Sequence, residues 1–296
     1  MVLRKFIKKT ILFLLLIGII NSTIYFFLTK EVVFNKYIYN EKSIENYNTF
    51  MLSDSHGEAL KNLTNQFDIF NFSYVGDNYQ DMYYKLLYLS SYIDSNDVIL
   101  ITINHHTLSK YRDVSNNTIR NLLYVNNIDN VFDDDLNTEF HKSKLFKMVP
   151  LLVVNYGSFH FDYIKNHFKD GFFDDLSFAN VPAVMQRKQI ESRFNQQFGN
   201  DDNSEKGLFF LNKIIKICKK NKFQLKGIKY PVSNLYFNKI KDFDMNAERV
   251  LTLNNIETID FQKDFFFSDD MFKDQDHLNK KGAKLFLKKL KDILNK

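Results

Sequence analysis

Apolar and polar positions along this chain fall into three regimes. Ile11 to Leu28 is apolar apart from Gly18, Asn21, Ser22 and Thr23. A run of roughly 18–20 such residues, at 1.5 Å each, matches the ~30 Å of a hydrocarbon core. From Tyr47 onward, short apolar runs alternate with segments whose apolar residues recur every third or fourth position. Tyr47–Leu52, Phe67–Tyr74, Val98–Ile103 and Phe223–Tyr230 read as strands, the last stopped by Pro231, and a fifth lies around Ile256–Ile259 within Val250–Asp260. Val98–Ile103 is nearly continuous in apolar side chains, as suits a strand covered on both faces of a parallel sheet.

The intervening segments read as helices. Glu58–Leu63 is the first. Tyr79, Met82, Tyr83, Leu86, Leu89 and Ile93 then share one helical face, with Asp77 or Asn78 placed to cap it. Leu208, Leu211, Ile214, Ile215 and Cys218 mark another, with Ser204 as its cap, and a basic amphipathic helix closes the chain over Asn279–Leu294. Strands alternating with helices predict an α/β fold, a three-layer α/β/α arrangement around a mostly parallel sheet of about five strands.

The third regime, residues 111–203, lacks this rhythm. It carries acidic clusters (Asp133-Asp134-Asp135, Asp201-Asp202-Asn203), aromatic patches (Phe159-His160-Phe161, Phe172-Phe173) and an expected helix over Ala183–Phe198. A stretch of this size inside a domain is an elaboration with its own structure, either a lid over a site or a packing subdomain. The expected organisation is a tail and transmembrane signal-anchor at 1–30, a connector at 31–46, and an α/β domain at 47–296 with an insertion at about 111–203.

Charge orients the first segment. Arg4, Lys5, Lys8 and Lys9 precede the apolar run, while Lys30 and Glu31 balance after it. The positive-inside rule then predicts a single-pass cell-membrane protein, with residues 10–29 in the bilayer, a cytoplasmic N-terminus and the remaining chain extracytoplasmic. A cleaved signal peptide is the alternative; the run is long for one and no small-x-small cleavage site stands out. The net charge of +5 is too modest and dispersed for nucleic-acid binding. The lone Cys218 excludes an intrachain disulfide and a cysteine-rich zinc site, and its apolar position reads as a buried thiol.

The chemistry-bearing stretch is Leu52-Ser53-Asp54-Ser55-His56-Gly57, between a strand and a helix. Such a turn lies at the sheet edge, where open α/β sheets bind their ligands. A second stretch, Asp274-Gln275-Asp276-His277, stands just before the last helix. A serine hydroxyl needs a base to take its proton, and the base needs a carboxylate to fix its tautomer. Ser55, His277 and Asp274 offer those three roles.

In these residues the chain resembles the SGNH (GDSL-type) hydrolase superfamily, over residues 47–110 and 204–296. The family's Gly-Asp-Ser stands here as Ser53-Asp54-Ser55, with Ser55 in the nucleophile's place. Its second motif, a glycine after the second strand, corresponds to Gly76 in Val75-Gly76-Asp77-Asn78. Of its third motif, Gly-x-Asn-Asp, Asn104 is kept. Its Asp-x-x-His corresponds to Asp274 and His277. The resemblance implies a flavodoxin-like SGNH fold, a Ser-His-Asp mechanism without cofactor or metal, and an oxyanion hole from the Ser55 and Gly76 N–H groups and the Asn104 side chain. His56 and Asp77 are further candidates to line the site, with simple packing the other reading of His56. The resemblance also implies a membrane-anchored esterase or O-acetyltransferase acting on cell-surface glycan or another acylated substrate, in some cases beside a multispanning membrane acyltransferase.

Two other readings stay open. Asp54-Ser55-His56, Gly76-Asp77 and Asn104-His105 also resemble motifs of calcineurin-like metallophosphoesterases, which use carboxylates, imidazoles and an amide around two metal ions. The third reading is a non-catalytic SGNH-like domain that binds glycan or scaffolds a complex.

Overall fold

A computed structural model of the chain describes residues 2–23, 44–114, 117, 121, 122, 141, 145, 177–199, 202–262 and 267–296. The chain divides into two units, residues 1–41 with 122–170, and residues 42–121 with 171–296. Most of the expected connector and much of the expected insertion lie outside the described residues.

In the first unit the described element of length is helix α1, Val2–Thr23. It corrects the expected membrane span and the single-pass localisation built on it: no helix among the described residues is long and apolar enough to cross a membrane. The physical reason is in its composition. Arg4, Lys5, Lys8 and Lys9 occupy its first turns and Asn21, Ser22 and Thr23 its last, leaving Ile11–Ile20 as the uninterrupted apolar part. Ten helical residues rise about 15 Å, half of a hydrocarbon core.

The second unit is built on one parallel sheet. Its strands are β1 (Thr49–Leu52), β2 (Phe70–Asn71), β3 (Val98–Thr102), β4 (Gln224–Lys229) and β5 (Thr258–Asp260), in the order β2-β1-β3-β4-β5. This is the flavodoxin-like α/β arrangement expected. The register sets Phe50 beside Phe70 and Ile99, Ile99 beside Leu225, and Ile228 beside Ile259. These side chains are almost wholly buried.

Strand β2 is far shorter than its apolar run. A turn of 3-10 helix occupies Asn65–Phe67 and Asp68 takes a left-handed φ of 57°, so pairing starts only at Phe70. The helix expected at Glu58–Leu63 is broken into α2 (Ser55–Glu58) and α3 (Lys61–Thr64). Helix α4 (Tyr79–Leu89) follows the expected face, and Asn78 caps it in a reciprocal box with Asp81. Helix α5 is Ala183–Phe198, as expected, and α6 (Glu205–Asn221) starts on the Ser204 cap. Two helices, α7 (Asn234–Ile240) and α8 (Ala247–Leu253), occupy ground with no clear periodicity; a left-handed Asn255, with φ of 57°, follows α8, and β5 starts at Thr258 rather than Ile256. The closing helix α9 is Lys280–Leu294.

The path from β1 out to the edge strand β2 runs opposite to every later step across the sheet. Right-handed crossovers therefore put α2 and α3 on one face and α4, α6 and α8 on the other. The packing agrees: Tyr83 and Tyr84 of α4 meet Phe210 of α6, while α9 packs against α3. Phe286 of α9 is fully buried between Tyr230 and Phe261, at ring distances of 5.2 and 4.5 Å. Burial of that kind contributes about 1.5–3 kcal/mol per side chain.

The start of α9 is fixed by a close approach. Asn279 Oδ1 accepts from the Lys281 and Gly282 N–H groups, each at 3.1 Å. A Cβ on Gly282 would lie 2.3 Å from the Met271 carbonyl oxygen. That neighbour is backbone and has little room to yield. Gly282→Ala is expected to cost about 1–3 kcal/mol, seen as a Tm several degrees lower.

Candidate active site

The sheet order reverses on either side of β1, so the carboxyl ends of β1 and β3 flank a topological switch point, where ligands bind in open α/β sheets. The chain leaves β1 at Leu52 and turns on Asp54, whose Oδ1 accepts from the His56 N–H at 3.1 Å. This cap starts the one-turn helix α2 at Ser55 and leaves that serine half-buried. Ser53 is buried; its hydroxyl bonds the Thr102 hydroxyl and accepts from the Gly57 N–H at 3.2 Å. A side chain at that position is thus absorbed within the interior.

The opposite wall is the turn before α9. There His277 Nε2 lies 2.7 Å from Ser55 Oγ, although 222 residues separate the two in sequence. Its Nδ1 lies 2.9 and 3.1 Å from the two oxygens of Asp274. Asp274 Oδ1 also accepts from the His277 N–H at 2.8 Å and from the Asp276 N–H at 3.1 Å, so one carboxylate holds both the imidazole and the turn that carries it. The three residues singled out in sequence therefore meet in the order serine, imidazole, carboxylate.

Further polar groups meet behind them, and sequence reasoning gave most of these no role. Asp276 is buried, with Oδ1 3.3 Å from His277 Nδ1, so the imidazole faces two carboxylates. His56, expected to line the site, stacks on His277 at a ring distance of 4.8 Å. Its Nδ1 bonds Asp54 Oδ1 at 2.8 Å, and its Nε2 lies 3.9 Å from Asp276 Oδ2. Asp54 Oδ2 faces Arg112 at 3.3 Å, and Asp276 Oδ2 accepts from Arg193 Nε at 2.8 Å. Arg112 and Arg193 belong to the segment read as an insertion. A polar helix carries nothing in its spacing to say which charge turns inward, so no sequence signal marked Arg193.

Asn104 follows β3. Its Oδ1 accepts from the Tyr230 N–H at 2.8 Å, while its Nδ2 is buried without a hydrogen-bond partner among the described residues. An unspent buried donor at the carboxyl end of the central strand β3 is the kind of group that can serve an oxyanion. Gly76 stands in the turn after β2 with φ of 80°, a conformation that by itself favours glycine.

Asp77 does not join this group. It is fully buried, ion-paired with Lys85, and accepts from Asn117 Nδ2 at 3.0 Å, so it supports the β2–α4 turn. His105 is likewise engaged, with Phe243 O at 2.6 Å and Gln262 Oε1 at 2.9 Å. The carboxylate and imidazole that a two-metal phosphoesterase site would need are therefore spent elsewhere. Among the described residues, the group whose donor atoms come within 4.8 Å of one another is Asp274, Asp276 and His277, the same residues that face Ser55.

Burial works against a charged His277, but Asp276 and the Asp274 hydrogen bond outweigh it and push the imidazole up to about 10. Asp276 moves the other way: burial raises it, and His277, Arg193 and His56 together hold it well below the usual carboxylate range. Asp54 is also held low, because His56 and Arg112 overcome the cost of its burial. Burial, aided by Arg112, keeps His106 well below an ordinary imidazole. The two carboxylates on its Nδ1 side thus favour the imidazolium form of His277, whose Nε2 faces Ser55 Oγ.

No protein-family model matches the chain, and no curated protein matches it. Among solved structures it is similar to a GDSL-like lipase from Bacteroides thetaiotaomicron, at 8% identity over 89% of this chain and 98% of the other, with a TM-score of 0.40. A protein assigned as lipolytic, of the G-D-S-L family, from Desulfitobacterium hafniense aligns at 12% identity over 83% and 98%, with a TM-score of 0.38. A protein assigned as an acylhydrolase from Bacteroides fragilis aligns at 9% identity over 83% and 86%, with a TM-score of 0.36. Identity this low says nothing of residue roles, which stand on the geometry above.

Proposed function

We propose that this chain is a serine acyl-ester hydrolase or O-acyltransferase, with Ser55 as nucleophile, His277 as general base and Asp274 as the carboxylate that orients it. The observation that carries the reading is the 2.7 Å contact of Ser55 Oγ with His277 Nε2, with Asp274 2.9 Å from Nδ1 of the same ring. Once His277 is neutral, Nε2 takes the Ser55 proton as Oγ bonds the ester carbonyl carbon. The carbonyl oxygen becomes an oxyanion. The Ser55 and Gly76 N–H groups and Asn104 Nδ2 are its proposed donors, each worth about 3–4 kcal/mol in the transition state. The C–O bond to the alcohol then breaks, and His277 returns its proton to the departing oxygen. In the second half an acceptor hydroxyl gives its proton to His277, attacks the acyl-serine and frees Ser55. Water as acceptor makes an esterase; a sugar hydroxyl makes an O-acyltransferase. The family resemblance favours an acylated glycan as the substrate of either.

The test uses the full chain with p-nitrophenyl acetate and p-nitrophenyl phosphate in parallel, with and without EDTA. Acetate turnover unchanged by EDTA is expected. Phosphate turnover that EDTA removes would replace this reading with metal-dependent phosphoester hydrolysis. Glycan binding without turnover of either ester would make the domain a binding module.

A further inference from the structure

The triad accounts for Asp274 but leaves Asp276 and its partners unexplained. Asp276 is 1% exposed, and both of its oxygens are engaged. Oδ1 accepts from Gln275 Nε2 at 2.9 Å and lies 3.3 Å from His277 Nδ1. Oδ2 accepts from Arg193 Nε at 2.8 Å and from Gln197 Nε2 at 3.3 Å. Arg193 and Gln197 lie four residues apart on α5, hence on one helical face. Gln197 is fixed from its other end by the Tyr236 hydroxyl. Helix α5 lies in the β3–β4 connection ahead of α6, packs against α7, and aims a guanidinium and an amide at the carboxylate that touches the base. A buried carboxylate is costly unless it is paired and hydrogen-bonded; α5 supplies both.

We infer that Arg193 is a positioning residue for catalysis: through Asp276 it holds His277 against Ser55, making helix α5 a working part of the site. The inference rests on the reading of Ser55 and His277 as nucleophile and base. The groups around His277 set the sign of the effect. Asp274 and Asp276 face it from its own turn. Ser55 and the His56 ring face it from the β1–α2 turn, with Asp54 and its Arg112 partner behind His56, and Arg193 approaches from α5. Removing the Arg193 charge exposes His277 to an uncompensated Asp276, which favours the imidazolium. Removing the Asp276 charge does the reverse.

The test compares wild type, Arg193→Gln, Arg193→Lys and the isosteric Asp276→Asn in the full chain. One readout is the pH dependence of kcat and KM on p-nitrophenyl acetate. The other is the His277 titration followed by NMR with 15N-labelled histidine, assigned with His277→Ala. Arg193→Gln is expected to lower kcat more than tenfold at pH 7.5 with KM within about threefold, to regain rate as pH rises, and to move the His277 midpoint upward. Asp276→Asn moves the midpoint downward, and Arg193→Lys recovers part of the lost rate. An Arg193→Gln midpoint that stays at the wild-type value, or falls as in Asp276→Asn, overturns the inference. Opposed midpoint shifts in a chain without esterase activity would support the positioning while sinking the catalytic reading.

Discussion

Ser55→Ala is expected to lower kcat for acyl-ester turnover by about 10⁴–10⁶-fold. The loss is large because Ser55 Oγ stands 2.7 Å from His277 Nε2, whereas the neighbouring hydroxyl of Ser53 is buried and bonded to Thr102. Fold is expected to survive, since the Ser55 side chain is half-buried and its hydroxyl makes a bond to His277 rather than to the sheet. The melting temperature should stay within a few degrees of wild type. A serine-directed fluorophosphonate should label the wild-type chain once, at Ser55, and leave the variant unlabelled. Retention of ordinary turnover by Ser55→Ala, or labelling at another residue, would end the serine mechanism.

The second large effect is on pH dependence. With two carboxylates on its Nδ1 side, His277 is raised from 6.5 to about 10 in the free site. A general base works only when neutral, so kcat/KM should be low at neutral pH and climb through the alkaline range, with its inflection well above that of an ordinary imidazole. Asp274→Asn removes one carboxylate and should move that inflection to lower pH. Its cost in rate should be smaller than the ~10⁴-fold seen where a sole orienting carboxylate is lost, because Asp276 remains 3.3 Å from the ring. The same linkage acts on stability. A raised folded-state pKa means the His277 contribution is fully present below about 6.5 and is lost as pH rises through about 10. A rate profile that levels off near pH 7 would show that the second carboxylate leaves the base unperturbed.

Much of the site could be read from residue order. Asp54-Ser55-His56 follows a strand, Asn104 ends the next buried strand, and Asp274 and His277 precede an amphipathic helix. Each of those placements is local, because periodicity and caps are written within a dozen residues, and β1, β3, β4, α4, α6 and α9 lie where periodicity put them. Placements that depended on long-range competition fared differently. The second strand shrank because Asp68 turns the chain before pairing begins, and the fifth starts at Thr258 rather than Ile256 because Asn255 turns the chain ahead of it. Asp77 looked like a site residue from its place after Gly76, yet a buried lysine eight residues on takes its charge. The apolar run at Ile11–Leu28 suggested a membrane span, but α1 spends its first turns on four basic residues and its described part ends at Thr23.

By itself, the sequence determined the α/β class, the strand-turn-helix setting of Ser55, and a carboxylate and an imidazole three residues apart at Asp274 and His277, because these follow from short-range pattern and residue chemistry. The tertiary structure alone decided that Ser55 meets His277 across 222 positions, and that His56 stacks on the His277 ring instead of standing apart. It also decided that a second carboxylate, Asp276, is held against the imidazole by Arg193 from helix α5 in the long β3–β4 connection. Those facts depend on which buried charges find partners. That is settled only when the whole chain packs, since a charge on a polar helix face carries no mark in the sequence of whether solvent or a buried carboxylate will answer it.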